Sequence, residues 1–389
     1  MIRKIVFRLH LSVAAAVGLV VLMLAATGVI LSLEGTVTGL AERRHFVAPA
    51  ETAPLPPATL VRAAEAWVAA RGTPLTATSL RYRPHPRAPV RVDAGRALHV
   101  YVDPFRADVL GHGPGAIEHF FTAVHDLHRW FAVPAGSVRR GRAVTGAVNV
   151  AFLFLLVTGP FLWLPSRFTK RALANVLLFQ RGARGAWRDL NWHQVIGIWT
   201  VIPLAMIAVT GAVLSYPAVA DRVYPVVGQV VSGGRWGGAG PGRARVGGGG
   251  GVGPSGEAAP ADLEAALRVA GGWVGDWESL TLTLPRPSAD EIRVEIRGGG
   301  TGQPQKTGTL TLDAATGTPL SWETFADETA GRRAQEFLRY AHTGEYWGVT
   351  GRMFAGLCSL GATFIVWTGL ALAMRRLRRW LALRRARGL

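Results

Sequence analysis

The sequence predicts an α-helical membrane protein: four transmembrane helices arranged as a parallel tandem duplication, carrying two small α+β extracytoplasmic domains. Three observations carry this prediction. Residues 11–33, 143–165, 195–220 and 353–374 contain no Asp, Glu, Lys or Arg, and each run supplies the roughly 20 residues that cross about 30 Å of hydrocarbon. Basic residues cluster beside these runs, within a chain of 389 residues whose 43 Lys+Arg outnumber 25 Asp+Glu to give a net charge of +18. Two fixed offsets along the chain also bring similar landmarks into register, as set out below.

Taken in order, residues 1–33 form a short start and the first span. Its apolar run exceeds the roughly 7–15 residues of a signal-peptide core, and Ser32-Leu33-Glu34-Gly35 is a poor small-residue cleavage site, so it reads as a retained span. Residues 34–142 form the first outside segment, with helical spacing over 56–71 and alternation over 97–110 around the turn Asp103-Pro104-Phe105-Arg106. The second span is 143–165, a basic loop fills 166–194, and the third span is 195–220. Residues 221–352 form the second outside segment. It opens with an insertion at 232–260, dominated by Gly, Pro, Ala and Arg, which can bury almost nothing and reads as a flexible loop. A helix at 261–270, strands at 280–284 and 292–296, and a hairpin over 309–322 follow. The fourth span is 353–374, and 375–389 is a basic tail.

Orientation follows from Arg and Lys near the span ends. Arg3, Lys4 and Arg8 precede the first span, Arg167, Lys170, Arg171, Arg181, Arg184 and Arg188 separate the second and third, and seven arginines lie between 375 and 387. These segments are expected in the cytoplasm, with both termini, at a bacterial inner membrane. Arg139, Arg140 and Arg142 run against the rule, since they precede the second span on its outer side.

A shift of 183 residues places His193 on His10 and Thr210-Gly211 on Thr27-Gly28. A shift of 210 places Gly351-Arg352 on Gly141-Arg142, Thr368-Gly369 on Thr158-Gly159 and Asp313 on Asp103. Both halves begin on the same side, so the predicted repeat is parallel, unlike the inverted repeats of many transporters.

Composition excludes several chemistries. A single cysteine, Cys358, leaves no disulfide scaffold, thiolate zinc site, CxxC redox pair or covalently attached c-type haem. The chain has no GxxxxGK[ST], nucleophile elbow or HExxH, and its one GxGxxG, at 251–256, has no preceding strand and contains Pro254. The arginine-rich tail reads as a membrane anchor, not a nucleic-acid arm, so lipid is an expected partner and nucleic acid is not.

Histidine carries the remaining chemistry. His10 and His193 open the first and third spans, while His125, His128 and His342 precede the second and fourth. Ionisable residues at membrane depth need partners. A histidine from each of two facing helices suits b-type haem, because imidazole binds iron through one nitrogen while the other donates to a supporting acceptor. Two haems are expected, one per face, with Arg142 and Arg352 placed to pair with propionates. His125, Asp126, His128 and His342 could instead hold zinc or copper. His45, His85, His99 and His112 read as surface residues, and the role of His119 is open.

Arg3-Lys-Ile-Val-Phe-Arg-Leu-His10 leading to Thr27-Gly28, Leu127-His128, Trp192-His193 and His342-Thr-Gly-Glu-Tyr-Trp-Gly348 before Gly351-Arg352 resemble the PepSY-associated transmembrane proteins over nearly the whole chain. The hairpins at Asp103 and Asp313 look like that family's PepSY modules. The resemblance implies an oxidoreductase of the ferric-siderophore or ferric-chelate reductase type, with haem held by His10, His193, His128 and His342 and with His125 as the competing outer ligand. It implies a cytoplasmic electron donor or a quinol. Glycine enrichment at 232–260 and Tyr340-Ala341 before the last histidine depart from the family pattern. The competing expectation is a non-enzymatic PepSY membrane protein that contacts peptides, a protease or a transporter. A transporter would fit a repeat, but the spans lack interruptions and charged midplane residues.

Overall fold

Four helical stretches, Ile2–His45, Ala116–Trp163, Gly185–Ser215 and Glu345–Ala386, are long and apolar enough to cross a membrane. A charge-free run in hydrocarbon must satisfy its own backbone hydrogen bonds, and the α-helix does so within one segment. The structure, a computed structural model, describes residues 1–48, 51–72, 76–94, 98–163, 165, 169–233, 262–285, 289–299 and 303–386. The glycine-rich stretch, apart from its first two residues, and the GxGxxG match therefore lie outside the described residues, as does Arg167.

The chain runs α1 (Ile2–Ser32), α2 (Glu34–Glu42), α3 (Pro57–Ala69), β1 (Ser79–Tyr82), β2 (Val90–Ala94), β3 (Leu98–Val102), β4 (Val109–Gly113), α4 (Ala116–Trp130) and α5 (Val138–Trp163). It continues through α6 (Lys170–Leu177), α7 (Gly185–Ser215), α8 (Pro217–Gly233), α9 (Leu263–Trp273), β5 (Trp277–Thr283), β6 (Glu291–Gly298), β7 (Thr307–Asp313), β8 (Pro319–Thr324), α10 (Ala330–Thr343) and α11 (Gly348–Ala386). Two compact units result. One comprises Met1–Glu34, Phe121–Val223 and Leu338–Leu389; the other comprises Gly35–Phe120 and Tyr224–Phe337.

In the helical unit, α1 and α7 each pack against both α5 and α11. The four long helices thus form a ring in which α1 lies diagonally from α7, and α5 from α11. Ala25, Leu156, Leu204, Ala208, Cys358, Ala362 and Ile365 are buried together within it, an apolar layer between the two ends of the bundle. The third span ends earlier than the sequence pattern predicts. Tyr216 turns extended and Pro217 starts α8, because the residue before proline is driven out of the α region.

The second unit corrects the expectation of two separate outside domains. Its eight strands form one antiparallel sheet in the order β4-β3-β2-β1-β5-β6-β7-β8. Each half follows the order helix, then four strands, and the halves meet where β1 pairs with β5, Leu80 opposite Leu282. A four-stranded half would leave an edge of unpaired backbone groups on the first strand, and mutual pairing removes both edges. Leu60, Leu80, Leu282, Ile292 and Leu310 are buried in one core shared by the halves, with α3 and α9 contributing Ala64 and Ala266. Alternation sends the intervening side chains, among them Arg81, Arg91, Tyr101 and Thr281, to the opposite face of the sheet. Of the outside histidines read as surface residues, His99 is only 5% exposed. It sits on β3 with Glu118 Oε1 3.3 Å from its Nε2, and His45 stacks on Tyr101 at 4.5 Å. An alternating strand pattern does not by itself say what covers its polar face.

Candidate functional site

Each of the four long helices has a Thr-Gly pair, Thr27-Gly28, Thr158-Gly159, Thr210-Gly211 or Thr368-Gly369, whose threonine meets a histidine from another helix. His10 Nδ1 lies 2.7 Å from Thr158 Oγ1, and His128 Nδ1 lies 2.8 Å from Thr27 Oγ1. His193 Nδ1 lies 3.2 Å from Thr368 Oγ1, and His342 Nδ1 lies 3.1 Å from Thr210 Oγ1. The pattern is reciprocal across the ring. Threonines on α5 and α11 hold the histidines of α1 and α7, while threonines on α1 and α7 hold those of α4 and α10.

The direction of each bond follows from the threonine. Oγ1 of Thr27, Thr158, Thr210 and Thr368 donates its single proton back along its own helix, to Met23 O, Phe154 O, Met206 O and Phe364 O at 2.7–2.8 Å. With that proton spent, the hydroxyl oxygen can only accept, so the imidazole Nδ1 must be the donor. Two carbonyls reinforce the assignment: Ile365 O is 2.8 Å from His193 Nδ1 and Ile207 O is 3.0 Å from His342 Nδ1, and a carbonyl never donates. All four neutral rings therefore carry hydrogen on Nδ1 and a lone pair on Nε2. That is the tautomer a metal-binding imidazole requires, with its other nitrogen fixed by a supporting acceptor.

Glycine makes room for the rings. A Cβ on Gly211 would stand 3.0 Å from His342 Cε1, and one on Gly369 would stand 3.1 Å from His193 Cε1. The Thr-Gly pair thus supplies an acceptor and a bare surface on adjacent residues. Sequence reasoning registers these pairs only as landmarks of the repeat.

The ring centroids of His128 and His342 lie 6.4 Å apart, with planes inclined by 57°. Two metal–imidazole bonds of about 2 Å each, added to the two ring radii, set centroids on the order of 6 Å apart, so this pair has the span of a bis-imidazole site. His10 and His193 occupy the opposite end of the bundle on diagonal helices, and Trp163 presents its ring to His193 at 5.9 Å, edge to face. His125 is engaged elsewhere: its Nε2 lies 2.8 Å from Glu34 Oε2. Asp126 accepts from Trp130 Nε1 at 3.1 Å. Among the described residues no three His, Cys, Asp or Glu side chains converge as a metal site, so the zinc or copper grouping of His125, Asp126, His128 and His342 does not form. Two imidazoles without a third protein ligand fit a metal whose remaining ligands come from a macrocycle, as in haem.

The two arginines of the repeat differ in setting. Arg352 is buried at 6% exposure, whereas Arg142 is half-buried with its guanidinium 5.9 Å from the Trp130 ring centroid. The preceding glycines share one role. A Cβ on Gly141 would strike the Trp130 carbonyl, and one on Gly351 would strike the Gly344 carbonyl, so each permits the close crossing at which a histidine-bearing helix turns into the next long helix.

Two buried polar residues that the sequence does not single out brace the other end. Asp189, 5% exposed, is held by Arg188 Nη2 and Arg375 Nη2, both at 2.8 Å. Asn191, 1% exposed, accepts from Gln180 N at 3.0 Å and donates to Asn175 O and Leu178 O at 3.2 Å. Together they fix the first turns of α7, Asn191 lying two residues before His193.

Residues 7–376 match the family model described as PepSY-associated TM region. No curated protein matches the chain.

Proposed function

This chain belongs to the PepSY-associated transmembrane family, matched over residues 7–376, and from that premise we propose that it is a haem-b-containing transmembrane electron-transfer protein. In this reading it reduces a ferric siderophore or other ferric chelate on the periplasmic side, with electrons from a cytoplasmic donor or a quinol. One observation carries it: four imidazoles in two end groups, each with Nδ1 donated to a threonine and Nε2 left with its lone pair.

His10 and His193 would hold one haem and His128 and His342 the other. A haem held by two imidazoles at each end would supply one-electron transfer. The chain's own residues do the rest. Thr27, Thr158, Thr210 and Thr368 fix ring orientation and tautomer, and the apolar layer of Leu156, Leu204, Ala362 and Ile365 excludes water between the ends. Arg142 and Arg352 offer guanidinium forks suited to propionates. The basic clusters beside the long helices favour an inner-membrane protein with both termini in the cytoplasm and the sheet unit, formed from PepSY-like halves, outside. The paired histidine–threonine contacts and the repeated order of helix and four strands support descent by tandem duplication.

The test is a reduced-minus-oxidised absorption spectrum of the purified full chain. The expected result is b-type bands equivalent to two haems, halved in H10A/H193A and halved in H128A/H342A. Colourless wild-type protein would end this reading and favour a PepSY membrane protein that binds peptides, a protease or a transporter.

A further inference from the structure

On the sheet face opposite α3 and α9, Arg81 of β1 stands directly across from Arg91 of β2, and Arg91 across from Tyr101 of β3. Like charges in register on neighbouring strands are destabilising, so this pairing calls for a compensating role. With Arg83, Glu42, Phe46 and Tyr101, these arginines line a shallow cleft whose enclosed room is about 10 Å³. That is room for about one water-sized group, so the cleft suits a single carboxylate arm presented at its mouth.

The carboxylates within reach are already committed to two of the three arginines. Arg83 Nη2 is bonded to Glu42 Oε2, and Arg91 Nε is bonded to Asp93 Oδ1 at 2.7 Å. Arg81 has neither an ion pair nor a side-chain hydrogen bond among the described residues, and its Nε is buried without a partner. Burial, and next the neighbouring Arg91 guanidinium, lower its pKa from the ordinary arginine value. Arg81 as a whole is half-buried, and a planar fork at the mouth of a cleft is suited to two-point recognition of an oxyanion.

We infer that this cleft binds a small carboxylate-bearing anion, which Arg81 grips with its free guanidinium edge while Arg83 and Arg91 supply field and Tyr101 and Phe46 form the walls. The inference deepens the proposed function, on which its substrate reading rests. The chelate reduced would be an anionic one that presents carboxylates, in preference to a neutral hydroxamate type. Binding itself requires no haem.

The test is isothermal titration of the full chain in detergent at low ionic strength, with citrate and ferric citrate as probes and the neutral triethyl ester of citrate and inorganic phosphate as controls. Citrate or its ferric complex is expected to bind, the ester not to bind, and R81Q to weaken citrate at least tenfold. R81Q and R81M are also expected to unfold at the same temperature as wild type or higher, because each removes a half-buried like charge directly across from Arg91. Equal citrate affinity in R81Q and wild type, absence of citrate binding in wild type, tighter binding of phosphate than of citrate, or a lowered unfolding temperature in both variants would each overturn the proposal. Heat of binding is read with or without haem, so failure here and failure of the spectral test are separate results.

Discussion

His10 and His193 occupy equivalent positions in the repeat but are not equally secured. His10 Nδ1 has Thr158 Oγ1 at 2.7 Å, whereas His193 Nδ1 has both Ile365 O at 2.8 Å and Thr368 Oγ1 at 3.2 Å. A threonine-to-valine exchange keeps shape and removes the acceptor. In T158V the imidazole N–H loses that acceptor, at a cost of about 1–3 kcal/mol, and cofactor affinity should fall roughly 10–100-fold, as when a supporting partner of a metal-bound histidine is removed. In T368V the carbonyl remains and the loss should be several-fold smaller. Haem titration of the two variants, read with their redox potentials, checks the order; equal losses would mean that the hydroxyls do not orient the rings. A second residue-scale prediction concerns the sheet unit. Burial, then the Arg91 charge, push His99 down to about 4, below an unfolded value of about 6.5. Between those values the unfolded chain binds the proton and the folded chain does not. Stability is therefore lost as pH falls through that window, by at most about 3 kcal/mol. Denaturant melts at pH 7.5 and pH 5 should show H99Q falling behind wild type at the higher pH and recovering most of the gap at the lower.

Among the elements, the seam between β1 and β5 decides whether the outside region is one body. Leu80 and Leu282 are paired in register there and both are 0% exposed. Leu282→Ala should cost about 2–5 kcal/mol and, because the core is shared, should raise amide exchange in β2–β3 as well as in β6–β7. Exchange confined to β5–β7 would show that the halves are independent after all. Little of this seam is legible in the sequence. Ser79–Tyr82 is only four residues long with Arg81 inside it, too short for a period to register, and pairing between strands roughly 200 residues apart leaves no local mark. The long helices are legible because hydrocarbon demands an uninterrupted charge-free run, and α3, α9 and the two hairpins are legible because one face of each is apolar. The histidines stand out as costly residues near apolar runs. Their threonine partners do not, since which helix adjoins which is a property of the ring and not of any window of sequence. For the same reason His125 and His128 are equivalent by helical spacing, and only the packed α4 shows one ring turned to His342 and the other to Glu34.

At the scale of the whole molecule, the histidines fall into two end groups with the buried apolar cluster of Ala25, Leu156, Leu204, Ala208, Ala362 and Ile365 between them. Among the described residues no Asp, Glu, Lys, Arg or His falls in that cluster, unlike a transporter whose charged site lies at the midplane. The ends should therefore behave as independent binding sites. Substitutions that do not share partners add in free energy, so H10A/H193A should leave the outer site's affinity and band position within a few tenths of a kcal/mol of wild type, and H128A/H342A should do the same for the inner one. The quadruple variant should be colourless yet still insert, because the apolar runs and their flanking arginines are untouched. A reporter fused after residue 386, the last described residue of α11, should be active only in the cytoplasm in all of these variants. Loss of the second haem whenever the first is removed would instead mean that the bundle needs both cofactors to close, and that the apolar layer does not hold the helices together alone.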